Sequence, residues 1–246
     1  MELLKSSRIL EEVLATSDVF VFCGPGGTGK SEMAANFSAF LGKRGMSCVL
    51  VDLDFSKGDF TLRSPRFRTP CPLFPQGVRA SYVETPLFTR DLVALFSRME
   101  ESLRLVIDLG RDEKGLRLFR SLRPFWEKRN THVALVVNFA RPFFENVASY
   151  AGFVEDMQGR YGIPFASLVA NTHLVGETTV CLLKEGWERA KILGRTLGLP
   201  VLFASLWEKK KDYYSLIDWQ ESAVLAVSRF LVLPWGEEDE SWFERG

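Results

Sequence analysis

The stretch DVFVFCGPGGTGKSEMAANF, residues 18–37, sets a short apolar segment directly before a glycine-rich loop and a helical segment. Its central part, GPGGTGKS at 24–31, matches the pattern G-x-x-x-x-G-K-[ST], which is specific when a strand precedes it and a helix follows it. In such a loop the backbone N–H groups point inward around phosphate oxygens, and the helix N-terminus adds its dipole. We therefore expect a phosphate-binding loop on an α/β fold. The residues expected to contact phosphate are Gly24, Gly26, Gly27, Thr28, Gly29, Lys30 and Ser31.

Short apolar runs that predict buried strands alternate with helical segments along the rest of the chain. This alternation is typical of a parallel sheet covered on both faces by helices. We expect a three-layer, doubly wound α/β fold with a mainly parallel sheet, in a single domain over residues 1–246. The predicted strands lie at 18–23, 47–54, 103–110, 132–138, 166–171 and 200–205, and the predicted helices at 30–44, 89–101, 113–129, 143–159, 177–197 and 213–232.

Two further segments are added to this alternating pattern. Residues 1–16 carry apolar side chains near helical spacing, which predicts an amphipathic N-terminal helix. Its polar face is mixed rather than basic, so we expect it to pack against the domain instead of a membrane.

Residues 64–88 form a proline-rich insertion that keeps several aromatic and aliphatic side chains. A loop this long and apolar is either packed onto the domain surface or offered to a partner.

Carboxylates follow two of the predicted strands at the points where the strands end. Asp52 and Asp54 close the second strand, and Asp108 closes the third and is followed by Gly110. In a parallel sheet these ends converge on the same crevice as the phosphate loop. One carboxylate there can hold Mg²⁺ and another can orient a water molecule. Each aspartate alone is more typical of a strand-end cap, so the prediction depends on the two strand ends and the loop together.

The composition limits the classes of partner. Lys plus Arg equals Asp plus Glu, 31 against 31, so no long-range attraction for nucleic acid or anionic lipid is expected. The four cysteines are far apart and form no Cys-x-x-Cys pair, and the two histidines do not suggest a metal site. The chain has neither a signal-peptide pattern at its start nor an apolar run of membrane-spanning length, which predicts a cytoplasmic protein.

With these motifs in place, the chain resembles the MinD/ParA group of P-loop ATPases, which includes the nitrogenase iron protein and the pilus-assembly and flagellar-number ATPases. The resemblance rests on GPGGTGKS, on VLVDLDFSKGDF after the first helix, on LVIDLG and on LVANTHL, and it spans residues 18–207. It implies ATP or ADP and Mg²⁺ as cofactors. It implies that Lys30 and Ser31 bind phosphate and Mg²⁺, and that the amide of Asn171 recognises adenine. Asp54, in switch I, would orient the hydrolytic water and bind Mg²⁺. Asp108, which forms switch II with Gly110, would also bind Mg²⁺.

Two features depart from the pattern of that group. Pro25 stands where the group has a lysine that reaches the phosphates of the partner subunit in an ATP-bound dimer. The tail GEEDESWFERG is acidic, unlike the basic amphipathic tail of MinD. Lys57 and Arg111 follow the two aspartate stations, and either could replace the missing cation or belong to a solvated loop. We expect nucleotide binding to survive and hydrolysis by the isolated protein to be slow.

The resulting hypothesis is a Mg-ATP switch whose loops after Asp54 and Asp108 alter a surface that recognises a partner. That partner is a second copy of the chain, another protein, or both, and the ATPase would control its assembly, localisation or cofactor loading. ATP should be preferred over GTP because ANTH at 170–173 lacks the aspartate of the guanine-reading N-K-x-D pattern. The alternatives are a P-loop kinase for a small acceptor, with a lid drawn from the arginines at 63–90, and an ATP-binding module with negligible hydrolysis.

Overall fold

The fold positions the phosphate loop at the middle of a large sheet. The computed structural model describes residues 2–55, 62–63, 67–68, 70–75 and 86–231. Within them the strands are β1 (Glu2–Lys5), β2 (Val19–Cys23), β3 (Ser47–Asp52), β4 (Leu73–Phe74), β5 (Leu103–Asp108), β6 (Thr131–Val137), β7 (Phe165–Ala170), β8 (Val201–Trp207) and β9 (Ala223–Val227). The helices are α1 (Arg8–Thr16), α2 (Lys30–Lys43), α3 (Pro86–Ser97), α4 (Glu113–Ser121), α5 (Arg123–Trp126), α6 (Val147–Tyr161) and α7 (Val180–Leu197), with 3-10 helices at Val175–Glu177 and Glu208–Leu216.

The described strands form one nine-stranded sheet in the order β1-β9-β8-β7-β6-β2-β5-β3-β4. Every pairing in it is parallel except that of β1 with β9. The α/β fold with a mainly parallel sheet is therefore confirmed. The chain leaves β2 toward β3 on one side and later continues through β6 to β9 on the other, so β2 lies at a switch point, where parallel sheets bind their ligands.

Helices cover both faces of the sheet, and each face has its own apolar core. On one face α1 and α2 pack through residues such as Leu10, Met33 and Phe37. On the other face α3 to α7 pack through residues such as Phe88 and Trp187. The strands are buried between the two layers, which explains why β2 reads as an uninterrupted apolar run with all five residues buried.

The N-terminal segment differs from the predicted helix over 1–16. The helix begins at Arg8, with Ser7 as its cap accepting a hydrogen bond from the Leu10 N–H at 3.1 Å. The four residues of β1 instead form an edge strand antiparallel to β9. The prediction failed there because a short apolar run cannot be assigned to helix or strand by periodicity alone. The helix itself packs on the domain, with Leu10 and Leu14 buried.

The predicted helix at 213–232 is wrong. The structure has the 3-10 helix ending at Leu216, then β9, whose five residues AVLAV are all buried and pair in parallel with β8. The predicted helix at 113–129 is divided into α4 and α5, since Pro124 lies in the first turn of α5. The other predicted strands and helices are present with ends shifted by a few residues.

The described part of the proline-rich insertion packs onto the domain. Its residues Leu73 and Phe74 form the edge strand β4 beside β3, and the Phe74 ring stacks on Phe88 with centroids 5.6 Å apart. Phe67 is buried and stacks on Phe230 near the end of the described chain. The residues at 64–66, 69 and 76–85, like the acidic tail, lie outside the described residues.

Candidate functional site

The phosphate loop connects β2 to α2 in the conformation that its glycines require. Gly27 and Gly29 have φ of 77° and 89°, in the left-handed region that side chains disfavour. Gly29 caps α2 without any side-chain hydrogen bond, so the N–H groups at the helix start face the mouth of the loop. The Thr28 hydroxyl donates to the Pro25 carbonyl at 2.9 Å and closes the loop on itself.

Close packing explains the glycines at both ends of the loop. A Cβ on Gly24 would lie 2.6 Å from the carbonyl oxygen of Val136 on β6. A Cβ on Gly29 would overlap the side-chain amide nitrogen of Asn171. The loop is therefore pressed against the ends of β6 and β7, and its shape is fixed by close contacts that a larger residue would break.

Lys30, the first residue of α2, is folded into the loop. Its side chain is buried, and its Nζ donates to the Pro25 carbonyl at 3.3 Å. A single long hydrogen bond to a neutral carbonyl is a weak partner for an ammonium group. Phosphate oxygens in the loop would be stronger acceptors, so the predicted role of Lys30 fits its position.

Asp108 and Ser31 meet at the base of the loop. The Ser31 hydroxyl donates to Asp108 Oδ2 at 2.5 Å. Asp108 is fully buried, and its Oδ1 has no hydrogen-bond partner among the described residues. Burial, followed by repulsion from Asp52, raises the pKa of Asp108 to about 7. An unpaired buried carboxylate oxygen is costly and marks a place where a cation would be stabilising.

The Ser31 hydroxyl and the Asp108 carboxylate suit Mg²⁺ as it is bound in nucleotide sites. The donor set is a hydroxyl and a carboxylate, both hard oxygen ligands. Among the described residues, no group of three or more His, Cys, Asp or Glu side chains is arranged to hold a metal ion on its own. Mg²⁺ commonly takes only one or two protein oxygens and completes its octahedron with waters and substrate phosphates. Ser31 and Asp108 would supply that share.

Asp52 has a different surrounding from Asp108, although it ends the neighbouring strand. The guanidinium of Arg63 forms an ion pair with Asp52 Oδ2 at 2.8 Å, and the Asp54 N–H donates to Asp52 Oδ1 at 2.9 Å. Burial raises the pKa of Asp52 to about 6, and Arg63 acts against that rise. Arg63, which the kinase alternative assigns to a lid, also donates to the Asp54 carbonyl, so it braces the end of β3.

Asp54 and Asp112 join the loops that follow β3 and β5. Asp54 lies against Gly110, where an added Cβ would come within 2.6 Å of Asp54 Oδ1. Asp112 Oδ2 accepts from the Phe55 N–H at 2.9 Å, while its Oδ1 accepts from the Gly115 N–H at 2.8 Å as the cap of α4. Asp112 had not been identified from the sequence. The only available signal was an aspartate just before a predicted helix.

Asn171 lies behind the phosphate loop and is almost fully buried. Its amide nitrogen donates to the Thr28 carbonyl at 2.7 Å, and its oxygen accepts from the hydroxyl of Ser205 on β8. A primary amide nitrogen carries two hydrogens, so one of them is engaged with Thr28. The structure thus places Asn171 as a support of the loop. Ser205 had not been identified from the sequence.

Two guanidinium groups flank the glycines of the loop. The Arg141 Nε donates to the Gly26 carbonyl at 3.3 Å, and a Cβ on Gly27 would lie only 2.5 Å from Arg141 Cζ. The Arg111 side chain is 3.8 Å from the Cβ position of Gly26. Arg111 was a predicted cation, whereas Arg141 was missed because it is 115 residues from Gly26 in the chain. Lys57, the other predicted cation, lies outside the described residues.

A phosphate loop between a central parallel strand and a helix, with a strand-end aspartate bonded to its serine, defines the P-loop NTPase fold. The solved structure of FtsY from Mycoplasma mycoides has this fold in common with the chain, with a TM-score of 0.51 and 13% identity over 80% of this chain and 63% of that one. The cell division protein FtsY of Thermotoga maritima gives 17% identity over 80% and 64%, with a TM-score of 0.47. The signal recognition particle receptor FtsY of Elizabethkingia anophelis gives 14% over 83% and 65%, with a TM-score of 0.46.

The chain therefore spans less than two thirds of the length of these structures. No protein-family model matches the chain, and no curated protein matches it. The likeness to the Mycoplasma mycoides structure shows the fold and does not extend to the MinD/ParA group. Among the described helices, none combines the length and the apolar character that crossing a membrane requires.

Proposed function

We propose that the chain is a Mg-nucleotide switch of the P-loop class, with ATP and ADP as its ligands. The observation that carries this proposal is the Ser31–Asp108 pair, whose second carboxylate oxygen is buried without a partner at the base of the phosphate loop. A structural aspartate would be expected to have both oxygens paired. A ligand-binding aspartate has a reason to keep one of them available.

Each residue of the site has a definite task in this proposal. The loop N–H groups and Lys30 bind the phosphates, and Lys30 exchanges the Pro25 carbonyl for a phosphate oxygen. Ser31 and Asp108 would hold Mg²⁺, which when bound neutralises charge on the phosphates. Asp54, beside Gly110, orients the water molecule that attacks the terminal phosphate.

The switch operates through the connection between the loops after β3 and β5. Because Asp112 bonds the Phe55 N–H, a shift of one loop that follows nucleotide binding is transmitted to the other. The proline-rich insertion continues directly from the β3 loop, and its strand β4 extends the same edge of the sheet. We place the nucleotide-dependent contact with a second copy or a partner protein at that edge, as in a MinD/ParA-like switch.

Base preference in this proposal depends on Asn171 and the segment ANTH. In this proposal the second amide hydrogen of Asn171, which does not bond to Thr28, contacts the adenine base. Leu174 stands where the N-K-x-D pattern has its aspartate. The carboxylate that accepts from the guanine N1 and N2 groups in that pattern is therefore missing. ATP should therefore bind more tightly than GTP.

Calorimetric titration of the unmutated protein and Lys30→Ala with Mg-ATP and Mg-GTP tests the proposal. Lys30→Ala removes one or two charge-assisted hydrogen bonds, each worth roughly 1.5–3 kcal/mol, so Mg-ATP affinity should fall about 10²-fold. Lys43→Ala, at the far end of the same helix, is the matched control and should bind normally. Absence of Mg-ATP binding to the unmutated protein, or equal binding by Lys30→Ala, would contradict the proposal, and equal affinity for GTP would remove the adenine assignment. Phosphate release with and without small acceptors separates hydrolysis from kinase activity.

A further inference from the structure

The loop after β6 brings a second basic side chain to the phosphate loop. β2 and β6 are parallel neighbours with Cys23 opposite Leu135, so the two loops leave the sheet side by side. The Asn138 side chain accepts from the Ala140 N–H at 3.0 Å, and the Arg141 N–H donates to the Asn138 carbonyl at 3.1 Å. This turn directs Arg141 back over the phosphate loop.

The guanidinium of Arg141 lies at the mouth of the loop without a charged partner. Its one hydrogen bond is the 3.3 Å contact with the Gly26 carbonyl, and it forms no ion pair within the described part of the chain. Its position over Gly27 is so close that any side chain there would overlap it. A guanidinium bound to one neutral carbonyl retains most of its donors for an anion, and phosphate accepts them in pairs.

The backbone next to Arg141 is held in an uncommon conformation. Phe143 has φ of 70° and is 86% exposed. A bulky residue in the left-handed region is an outlier, and such outliers cluster at ligand sites. The Phe144 N–H donates to the Arg141 carbonyl at 3.1 Å, so this conformation closes a second turn immediately after Arg141.

We propose that Arg141 is a catalytic residue that contacts the terminal phosphates from within the same chain and supplies a cation to them. This inference rests on the proposed nucleotide site. In hydrolysis the water oxygen bonds to the γ-phosphorus, and the bond to the bridging oxygen breaks. The electron pair of that bond passes to ADP, and both protons of the water leave with the phosphate product as H2PO4⁻. The Arg141 guanidinium stabilises the negative charge that grows on the bridging and terminal oxygens.

The decisive comparison is between the unmutated protein, Arg141→Gln and the surface control Arg117→Gln. Arg117 is an exposed residue of α4 paired with Glu113, away from the loop. Affinity for Mg-ADP and for Mg-ADP with aluminium fluoride, which imitates the transferring phosphoryl group, is measured together with phosphate release in a single turnover. Because the fluoride complex reports transition-state contacts, it gives a result even where turnover is very slow.

Arg141→Gln should weaken the fluoride complex and slow phosphate release by about 10²-fold, as expected for one lost transition-state donor, with Mg-ADP affinity changed less than about threefold. Adding Pro25→Lys to Arg141→Gln should recover part of the loss, since a lysine beside Gly26 returns a cation to the loop. If the unmutated protein binds Mg-ADP and Arg141→Gln forms the fluoride complex equally well, this inference is wrong and the nucleotide site stands. If the unmutated protein binds no nucleotide, both are wrong.

Discussion

The two sides of the phosphate loop differ in how their polar groups are satisfied. On one side the ends of β3 and β5 carry the buried carboxylates Asp52 and Asp108, whose pKa values are both raised by burial. We call this the carboxylate half. On the other side the ends of β6, β7 and β8 carry neutral groups, among them Asn138, Asn171 and Ser205, and we call this the amide half.

The neutral side chains of the amide half have hydrogen-bond partners within the protein. Both ends of the Asn171 amide are bonded, and the Tyr150 hydroxyl both donates to the Asn138 carbonyl and accepts from the Asn138 N–H. The Thr172 hydroxyl accepts from the Phe139 N–H at 3.1 Å. Buried networks of this kind, with every member satisfied, rigidify a structure. The carboxylate half has an unpaired oxygen at Asp108 instead, so it is the half that a cation would complete.

Among variants that test the difference between the two halves, Asp108→Asn is expected to have the largest effect on hydrolysis and on stability. The change removes the carboxylate proposed to hold Mg²⁺, and hydrolysis should fall at least about 10²-fold. It also removes a buried charge, so the free energy of unfolding should increase, on the order of 2 kcal/mol at pH 8. Asp156→Asn on the surface of α6 is the control for both quantities. Lower stability of Asp108→Asn at pH 8 would contradict the inference that the buried Asp108 carboxylate is destabilising.

The stability gain of Asp108→Asn should depend on pH. The pKa of Asp108 is raised in the folded protein from 3.8 to about 7, so the folded state binds more protons than the unfolded state between those values. Stability of the unmutated protein attributable to this group is therefore lost as pH rises from about 4 to about 7. The difference in free energy of unfolding between the two proteins should grow over that window, as denaturant titrations at several pH values would measure.

In the amide half, Asn171→Ala should act mainly on stability. The change leaves the Thr28 carbonyl without its buried partner, which costs roughly 1–3 kcal/mol when no water replaces it. It leaves the Ser205 hydroxyl only its 3.4 Å hydrogen bond to the Ala170 carbonyl. We expect a loss of about 2–3 kcal/mol by denaturant titration, together with a weaker preference for ATP over GTP. Asn138→Ala tests a neighbouring amide that does not touch the loop, and it should lower stability while leaving base preference intact. Unchanged stability of Asn171→Ala would show that the hydrogen bonds of this amide do not stabilise the amide half.

A smaller effect is expected from Gly27→Ala compared with Gly45→Ala. The two glycines have nearly the same φ, 77° and 76°, but a Cβ on Gly45 meets nothing within 4 Å. Both changes should cost about 1 kcal/mol of stability through backbone strain. Only Gly27→Ala displaces Arg141, so only it should weaken the complex with Mg-ADP and aluminium fluoride, by about tenfold if one charge-assisted hydrogen bond is lost. Equal affinity of the two variants for that complex would show that Arg141 does not contact the transferring phosphoryl group.

The sequence was informative where a local pattern dictates the backbone. The phosphate loop, the central strand β2 and the aspartate ends of β3 and β5 follow from glycine spacing and apolar runs, and the structure has them at the predicted places. The pairing of Ser31 with Asp108 could be anticipated too, since the ends of adjacent parallel strands converge.

The rest depends on contacts between distant residues, which no local pattern reveals. Arg141 reaches Gly26 only because β6 lies beside β2. The Ser205 hydroxyl on β8 donates to the Asn171 side chain at the end of β7. Arg63 forms its ion pair with Asp52, 11 residues earlier in the chain. β9 was mistaken for a helix because its short apolar run has no distinguishing period, and its pairing with β8 decides its structure.

Hydrogen exchange of the unmutated protein, followed by mass spectrometry with and without Mg-ATP, tests the difference between the two halves most directly. The amide half is already bonded, so its exchange should change little. The phosphate loop at 24–31 and the ends of β3 and β5 should become strongly protected, and Lys30→Ala should abolish that protection. Protection confined to the ends of β6, β7 and β8, or no change in the loop at saturating Mg-ATP, would contradict the account.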